Sequence, residues 1–216
     1  LDEELAKGRG IVDGRGVVSE LTQDDPRFWA TVGGMGLTGI LTEATFDLIP
    51  ITSSLISVDT ERADDLDDLM NRMIARDEEY RYSVAWVDSV HPSGRGVLTR
   101  GDHAPADWLP EKARSHALAF APKVLATAPP LFPSGLVNPL TMRAFNEAWF
   151  RKAPRSRTGE LQSIGAFFHP LDIVQDWNRV YGPAGFLQYQ FAVPDAAGHL
   201  VATTLDRLRA VGALSP

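Results

Sequence analysis

The sequence predicts an α+β fold in which an antiparallel sheet carries flanking helices. Three observations predict it. Residues 40–49 alternate strictly: Ile40, Thr42, Ala44, Phe46 and Leu48 share one face, and Leu41, Glu43, Thr45, Asp47 and Ile49 the other. Residues 64–79 place Leu66, Leu69, Met70, Met73 and Ile74 at i, i+3, i+4, i+7 and i+8, the apolar stripe of an amphipathic helix, and begin with the acidic turn that suits the helix dipole. Strand-like stretches at 53–59, 80–87 and 96–100 surround that helix, which gives a β-α-β-β order with helices on one face of the sheet.

Taken in order, 14–21 reads as a strand leaving a turn, with Val17, Val18 and Leu21 apolar. Asp24 and Asp25 can cap a short helix whose first turn accepts Pro26 and which carries Phe28, Trp29 and Val32. Gly33, Gly34, Gly36 and Gly39 follow at once. So dense a set suits a backbone that takes positive φ or approaches another group closely. It is either a tight turn or a turn that presses main-chain N–H groups onto a cofactor. It is not the dinucleotide fingerprint, whose glycines follow a strand and open a helix; here they follow a helix and open a strand. Pro50 then marks a boundary, so 1–50 and 51–216 read as two parts.

Within the second part, His91-Pro92-Ser93-Gly94 joins two strands. Residues 101–138 hold Pro105, Pro110, Pro122, Pro129, Pro130 and Pro133, lack either period, and read as a mobile loop. A helix at 141–150, a strand at 158–168, a short helix at 171–178, a strand at 185–193 and a helix at 196–211 complete the pattern. Pro194-Asp195 opens the last of these.

Composition narrows the function classes. The 216 residues are 44% apolar and 23% charged, ordinary for a globule of one or two domains. No apolar run approaches the ~18 residues of a membrane-spanning helix. A net charge of −7 disfavours nucleic acid and offers no basic patch for anionic lipid. With no cysteine there is neither a disulfide framework nor a thiolate nucleophile. His91, His103, His116, His169 and His199 are scattered, without an i, i+4 pair or an acidic cluster, so no metal site is expected. The opening Leu-Asp-Glu-Glu-Leu-Ala-Lys is acidic and has no apolar core, unlike a signal peptide. No residue assigns a compartment, cytoplasmic or at a membrane. The chain starts on Leu1, and its last helix feeds only 212–216, so it reads as a piece of a longer protein, incomplete at both ends.

Several side chains could carry chemistry. Gln188 and Gln190 share a face of the expected strand 185–193, either as a solvated face or as amides turned into a pocket, where each offers a donor and an acceptor to hydroxyls. Trp86 stands mid-strand among apolar residues, as core or as an aromatic platform. Arg151, Lys152, Arg155 and Arg157 make a basic cluster in an acidic chain, a solvated loop or a phosphate contact.

Beyond these patterns, Phe28-Trp29-Ala30-x-x-Gly33-Gly34-x-Gly36-x-x-Gly39-Ile40-x-Thr42-Glu43-Ala44-Thr45 resembles the closing segment of the FAD-binding (PCMH-type) domain of the vanillyl-alcohol-oxidase-type flavoprotein family. Asp24-Asp25-Pro26-Arg27-Phe28-Trp29 is similar to the helix that precedes it there. The resemblance implies that Gly36, Gly39, Ile40 and Leu41 lie against FAD, that 1–50 ends an FAD domain, and that 51–216 is much of a substrate domain, itself incomplete. Tyr82-Ser83-Val84-Ala85-Trp86-Val87-Asp88, Phe167-Phe168-His169-Pro170-Leu171-Asp172 and the run from Trp177 to Phe191 resemble a branch of that family which oxidises a lipid-phosphate-linked pentose during synthesis of cell-wall arabinan. For this chain that implies an FAD-dependent oxidoreductase acting on a secondary hydroxyl of a sugar, with Trp86, Phe168, Gln188 and Gln190 at the substrate and a partner keto-reductase finishing an epimerisation. The branch more often has serine at Val84 and tyrosine at Phe168, which keeps open another polyol or a sugar lactone as substrate. A non-catalytic truncated paralogue is the further alternative. No catalytic acid or base is assigned within this chain, and the loops that hold the flavin phosphates are expected upstream, so the chain alone is not expected to hold FAD.

Overall fold

In a computed structural model, the structure describes residues 6–129, 135, 137–183 and 185–213. Residues 1–5, 130–134, 136, 184 and 214–216 lie outside the described residues. They include both ends, parts of the expected loop at 101–138, and one position of the run from Trp177 to Phe191. The fold is mixed α and β, and its two larger sheets are antiparallel. Contacts divide the chain into Leu1–Pro50 and Ile51–Pro216.

The first unit is a three-stranded sheet with one short helix. Strands β1 (Ala6–Val12), β2 (Val18–Thr22) and β3 (Ile40–Phe46) stand in the order β2-β1-β3, and helix α1 (Pro26–Thr31) connects β2 to β3. The hairpin between β1 and β2 is closed by Asp13. Its carboxylate accepts from the backbone N–H groups of Val17 and Arg15, and these bonds hold its pKa below the usual range. Asp25 caps α1, accepting from Arg27 N, and Pro26 occupies the first helical position, as the sequence predicts. Phe28 from α1 packs on Ile11 and Leu21 to form the small core, with Val32 against it. The central strand β1 was not anticipated, because its Lys7-Gly8-Arg9-Gly10 carries no apolar period.

The second unit is built on a four-stranded antiparallel sheet, β5-β6-β4-β8. Its strands are β4 (Leu55–Ala63), β5 (Tyr82–Val87), β6 (Gly96–His103) and, after the short β7 (Ala126–Thr127), β8 (Ser156–Ser163). Helix α2 (Leu66–Arg76), capped by Asp65, crosses from β4 to β5 and covers one face. Leu69 of α2 packs there on Ala63 and Leu98, with Leu66, Met73, Ala85 and Val87 around them. The buried Arg100 of β6 reaches Glu61 and stacks over Tyr80 on the same face. Burial, followed by the hydrogen bond to Asp59, raises the pKa of Tyr80.

Helices on one face only were expected, and the structure corrects this. Ile56 and Val58 point to the second face and are fully buried there, so that face also needs cover. Phe167 of helix α5 (Ile164–Phe168) supplies it, with Ile164, Phe168 and Tyr82 alongside. The short helix α3 (Glu111–Arg114) and the longer α4 (Pro139–Lys152) lie between β6 and β8 in sequence, and α4 is capped by a reciprocal Asn138–Thr141 box.

Three further expectations change. The strand expected at 158–168 stops at Ser163, whose hydroxyl accepts from Ala166 N and starts α5 instead. The helix expected at 171–178 is two 3₁₀ turns, Pro170–Ile173 and Trp177–Tyr181, flanking β9 (Val174–Gln175), which pairs with β7. The strand expected at 185–193 has no ladder among the described residues, and Leu187 is fully exposed. An extended segment becomes a strand only where an edge receives its N–H and C=O groups, and none is paired to it here. Helix α6 (His199–Ala210) is the last helix of the described residues. Within 101–138, Leu109 is buried and the Ser54 hydroxyl donates to the carbonyls of Ala117 and Ala119, so the first half of that proline-rich stretch is tied to the start of β4.

Candidate functional site

The second face of the four-stranded sheet forms a groove of about 460 Å³ between α5 and the C-terminal end of α4. Strand alternation decides what points into it. Val84 and Trp86 come from β5, Val97 and Thr99 from β6, and Thr60 from β4. Cross-strand pairing sets Val84 opposite Thr99, Thr99 opposite Thr60, and Trp86 opposite Val97. The floor is therefore apolar at the Trp86 end and carries two threonine hydroxyls nearer the middle. Trp149 and Lys152 of α4 and Phe167 of α5 form the walls, and Lys152 sits 5.2 Å from the centre of the Trp149 ring.

The far edge is shaped by one backbone irregularity. In β8, Arg157 pairs with Thr60 and Glu160 with Val58, so two residues of β8, Thr158 and Gly159, stand opposite the single Asp59 of β4. The extra residue is accommodated at Gly159, where φ is +66°. Its N–H donates to Asp59 Oδ1 at 2.8 Å. Residues three apart in a regular strand point to opposite faces. The bulge brings Arg157 and Glu160 onto the same face, where their side chains form an ion pair at 2.8 Å and both line the groove. Gln162 completes the row.

The α4 wall is fixed by charge. Asp88, at the end of β5, is almost wholly buried and accepts from Val90 N, His91 N, Asn146 Nδ2 and the Arg95 guanidinium. Arg95 also donates to Glu147 of α4 and lies 4.4 Å over the ring of Phe150. Burial opposes the charge on Arg95, but its bonds to Glu147 and Asp88 outweigh this and raise its pKa. The same contact with Arg95, joined by Arg151, holds Glu147 below its ordinary value.

Of the residues singled out from sequence, Trp86 lines the groove. Phe168 does not: it packs edge-on against Tyr82 at 4.9 Å and Phe167 at 4.8 Å, supporting the wall from behind. Gln188 and Gln190 are exposed in irregular backbone rather than on a shared strand face. Nearby, the tilted ring of Phe186 packs on Tyr181 with centroids 4.5 Å apart, and burial raises the pKa of Tyr181. The basic cluster divides: Arg151 pairs with Glu147, Arg157 with Glu160, and Lys152 covers Trp149. Sequence reasoning missed Trp149, Glu160 and Gln162. The lone Gly159 inside a strand pattern was the available signal for the bulge that aims the last two.

In the first unit, Gly33, Gly36 and Gly39 all have positive φ. At Gly39, φ is +146° and a Cβ would lie 2.4 Å from the carbonyl oxygen of Val12, so only glycine fits. Gly36 has open space around it, and Ile40 and Leu41, which open β3, are 73% and 45% exposed. Among the described residues, no group of three or more His, Cys, Asp or Glu could hold a metal ion, and no helix is long and apolar enough to cross a membrane.

No family model matches the chain. Over 194 residues, 87% of its length, it is 39% identical to the decaprenylphosphoryl-beta-D-ribose oxidase of Mycolicibacterium smegmatis, of which it covers 42%. Over 207 residues, 88% of its length, it is 35% identical to a Streptomyces coelicolor protein described as an uncharacterized protein in the mprA 5′ region, of which it covers 55%. The chain thus spans about half the length of these curated relatives. Over most of its own length, then, this chain is similar to a decaprenylphosphoryl-ribose oxidase, in keeping with the resemblance its motifs imply.

Proposed function

We propose that this chain is part of an FAD-dependent oxidoreductase that oxidises a secondary hydroxyl of a sugar, the sugar being a pentose linked to a lipid phosphate. The reaction would be the oxidative half of decaprenylphosphoryl-ribose 2′-epimerisation in cell-wall arabinan synthesis. The observation that carries this reading is the 39% identity over 194 residues to an oxidase of that name. The groove supports it: an aromatic face at Trp86, two floor hydroxyls and a polar far edge are the kinds of group that hold a sugar ring and its hydroxyls.

The glycine turn fits a flavin. It offers bare main chain at Gly36 and Gly39, followed by the exposed apolar side chains of Ile40 and Leu41, against which a planar ring can lie. A flavin bound there supplies the acceptor for the hydride that an alcohol carbon loses on becoming a ketone. Trp86 would pack on the sugar, and Gln188 and Gln190 would meet its hydroxyls once their segment is seated. The keto sugar would pass to a partner reductase. Val84 presents methyl groups to the groove, and this favours as second reading an FAD-linked oxidase of another polyol or a sugar lactone.

The test is to purify the full-length protein of which this chain is part, because the chain alone is not expected to hold FAD, with flavin supplied, record its flavin absorbance, and mix it anaerobically with polyprenylphosphoryl ribose or with free polyols. Bleaching by the lipid-linked pentose supports the proposal, and bleaching by free polyols alone supports the second reading. A protein that takes up no flavin is neither, and would be a binding module.

A further inference from the structure

The groove holds a cluster that the proposed reaction does not use. Glu160 Oε1 accepts from Arg157 at 2.8 Å, and Oε2 accepts from Gln162 Nε2 at 3.1 Å. Each carboxylate oxygen can accept more than one bond, so both keep a lone pair for a ligand. Gln162 keeps its amide oxygen and a second N–H. Arg157 and Gln162 thus meet the carboxylate from two sides. This arrangement exists only because Gly159, at φ +66°, inserts the extra residue that turns Arg157 to the side of Glu160. Bulges recur beside binding sites for this reason: they re-aim a side chain.

The position of the cluster also matters. In the strand order β5-β6-β4-β8, Trp86 stands on one edge strand and Glu160 on the other. Three inter-strand spacings and a four-residue offset along the strands separate them, about 19 Å. The groove is therefore polar at one end and aromatic at the other, and a single ring on Trp86 does not reach Glu160 without substituents or a second ring. A phosphate at the polar end would meet the negative charge of Glu160 directly. Two neighbouring hydroxyls would instead each donate to one carboxylate oxygen while Gln162 donates to or accepts from either.

We propose that Glu160 and Gln162, positioned by Arg157 across the Gly159 bulge, form a subsite that selects ligands carrying a vicinal diol. The proposal rests on the reading of the groove as a sugar site and adds the residues that determine which hydroxyl pattern it accepts.

The experiment titrates the folded chain with methyl β-D-ribofuranoside and with its 2-deoxy counterpart, which lacks the diol. Binding is followed by saturation-transfer NMR and by tryptophan fluorescence, since Trp86 and Trp149 line the groove. The unsubstituted chain is expected to prefer the diol by about tenfold or more, the loss expected when a charged acceptor is deprived of its donor. Glu160→Ala and Gln162→Ala should each shrink that preference, whereas Trp86→Ala, at the opposite end of the groove, should leave it intact. Melting curves confirm that each variant is folded, and the comparison of the two ligands on the unsubstituted chain needs no variant at all. Equal binding of both ligands would overturn the proposal and leave the sugar reading standing. A preference untouched by Glu160→Ala and Gln162→Ala would do the same. If neither pentoside binds, both the proposal and the sugar reading of the groove fail.

Discussion

Replacing Gly159 tests the bulge on which the far wall of the groove depends. The position is unusually clean, because a Cβ built there meets nothing within 4 Å. Any loss of stability therefore comes from the backbone conformation and not from a clash. Holding an ordinary L-residue in the left-handed region costs about 1–2 kcal/mol. Replacing glycine also removes freedom from the unfolded chain, which offsets up to about 1 kcal/mol. Gly159→Ala should thus lose roughly 1 kcal/mol, seen as a fall in Tm of about 2–4 °C for a domain of this size. Gly159→Val should lose more, because a β-branched residue is a genuine outlier in that region. Gly159→Asn should lose least, since asparagine tolerates it. All three keep the backbone N–H that donates to Asp59. The assay is thermal unfolding followed by circular dichroism, with two-dimensional NMR of the Arg157 and Gln162 side chains to see whether the bulge survives. An alanine variant as stable as the parent, or an asparagine variant worse than the alanine one, would refute the reasoning.

Two other outcomes follow from the network that anchors α4. Asp88→Ala leaves the Arg95 guanidinium half-paired in a buried site and strips Asn146 of its partner. It should cost about 3–5 kcal/mol in urea unfolding, and Asp88→Asn, which keeps an acceptor, should cost less. Glu147 titrates below its ordinary value of 4.5 because Arg95 and then Arg151 bond to its ionised form. In that window the unfolded state binds more protons than the folded one, so stability rises with pH. The contribution of Glu147 is complete above its ordinary value and lost as the pH falls through the depressed one. A Glu147→Gln variant should therefore lose less stability than the parent between roughly pH 6 and pH 3, measured as Tm against pH. Parallel curves would contradict it.

The sheet of the second unit was legible because its strands and α2 follow simple periods. Leu66, Leu69 and Met73 face the sheet as their spacing predicts. The capping of α1 by Asp25 was equally legible, since Asp-Pro at a helix start has a local cause. What the sequence hid depends on non-local partners. Strand β1 has alternating glycines in place of an apolar face, and it is a strand because β2 and β3 flank it. Residues 185–193 have the alternation without the pairing. For the site, Trp86 could be placed from its position in a strand. Phe168 could not, because α5 begins where Ser163 caps it and turns that ring towards Tyr82. Glu160 and Gln162 were invisible for a related reason: counting by twos across Gly159 puts Arg157 and Glu160 on opposite faces of the strand.

The bond between Asp59 and Gly159 also governs when the sheet can be finished. Its two ends are 100 residues apart, whereas Ser53 and Ala104, which join the neighbouring pair of strands, are only 51 apart. In entropy the longer closure is barely dearer, since each doubling of loop length adds about 0.6 kcal/mol. In time the difference is larger. At synthesis rates of about 5–20 residues per second, β8 leaves the ribosome several seconds after the β4–β6 pair can form. Throughout that interval the outer edge of β4 presents unpaired N–H and C=O groups, and the buried face of Ile56 and Val58 lacks the cover that Phe167 will bring. The nascent chain is therefore most vulnerable to mispairing at β4, and a chaperone that binds it would find its target there.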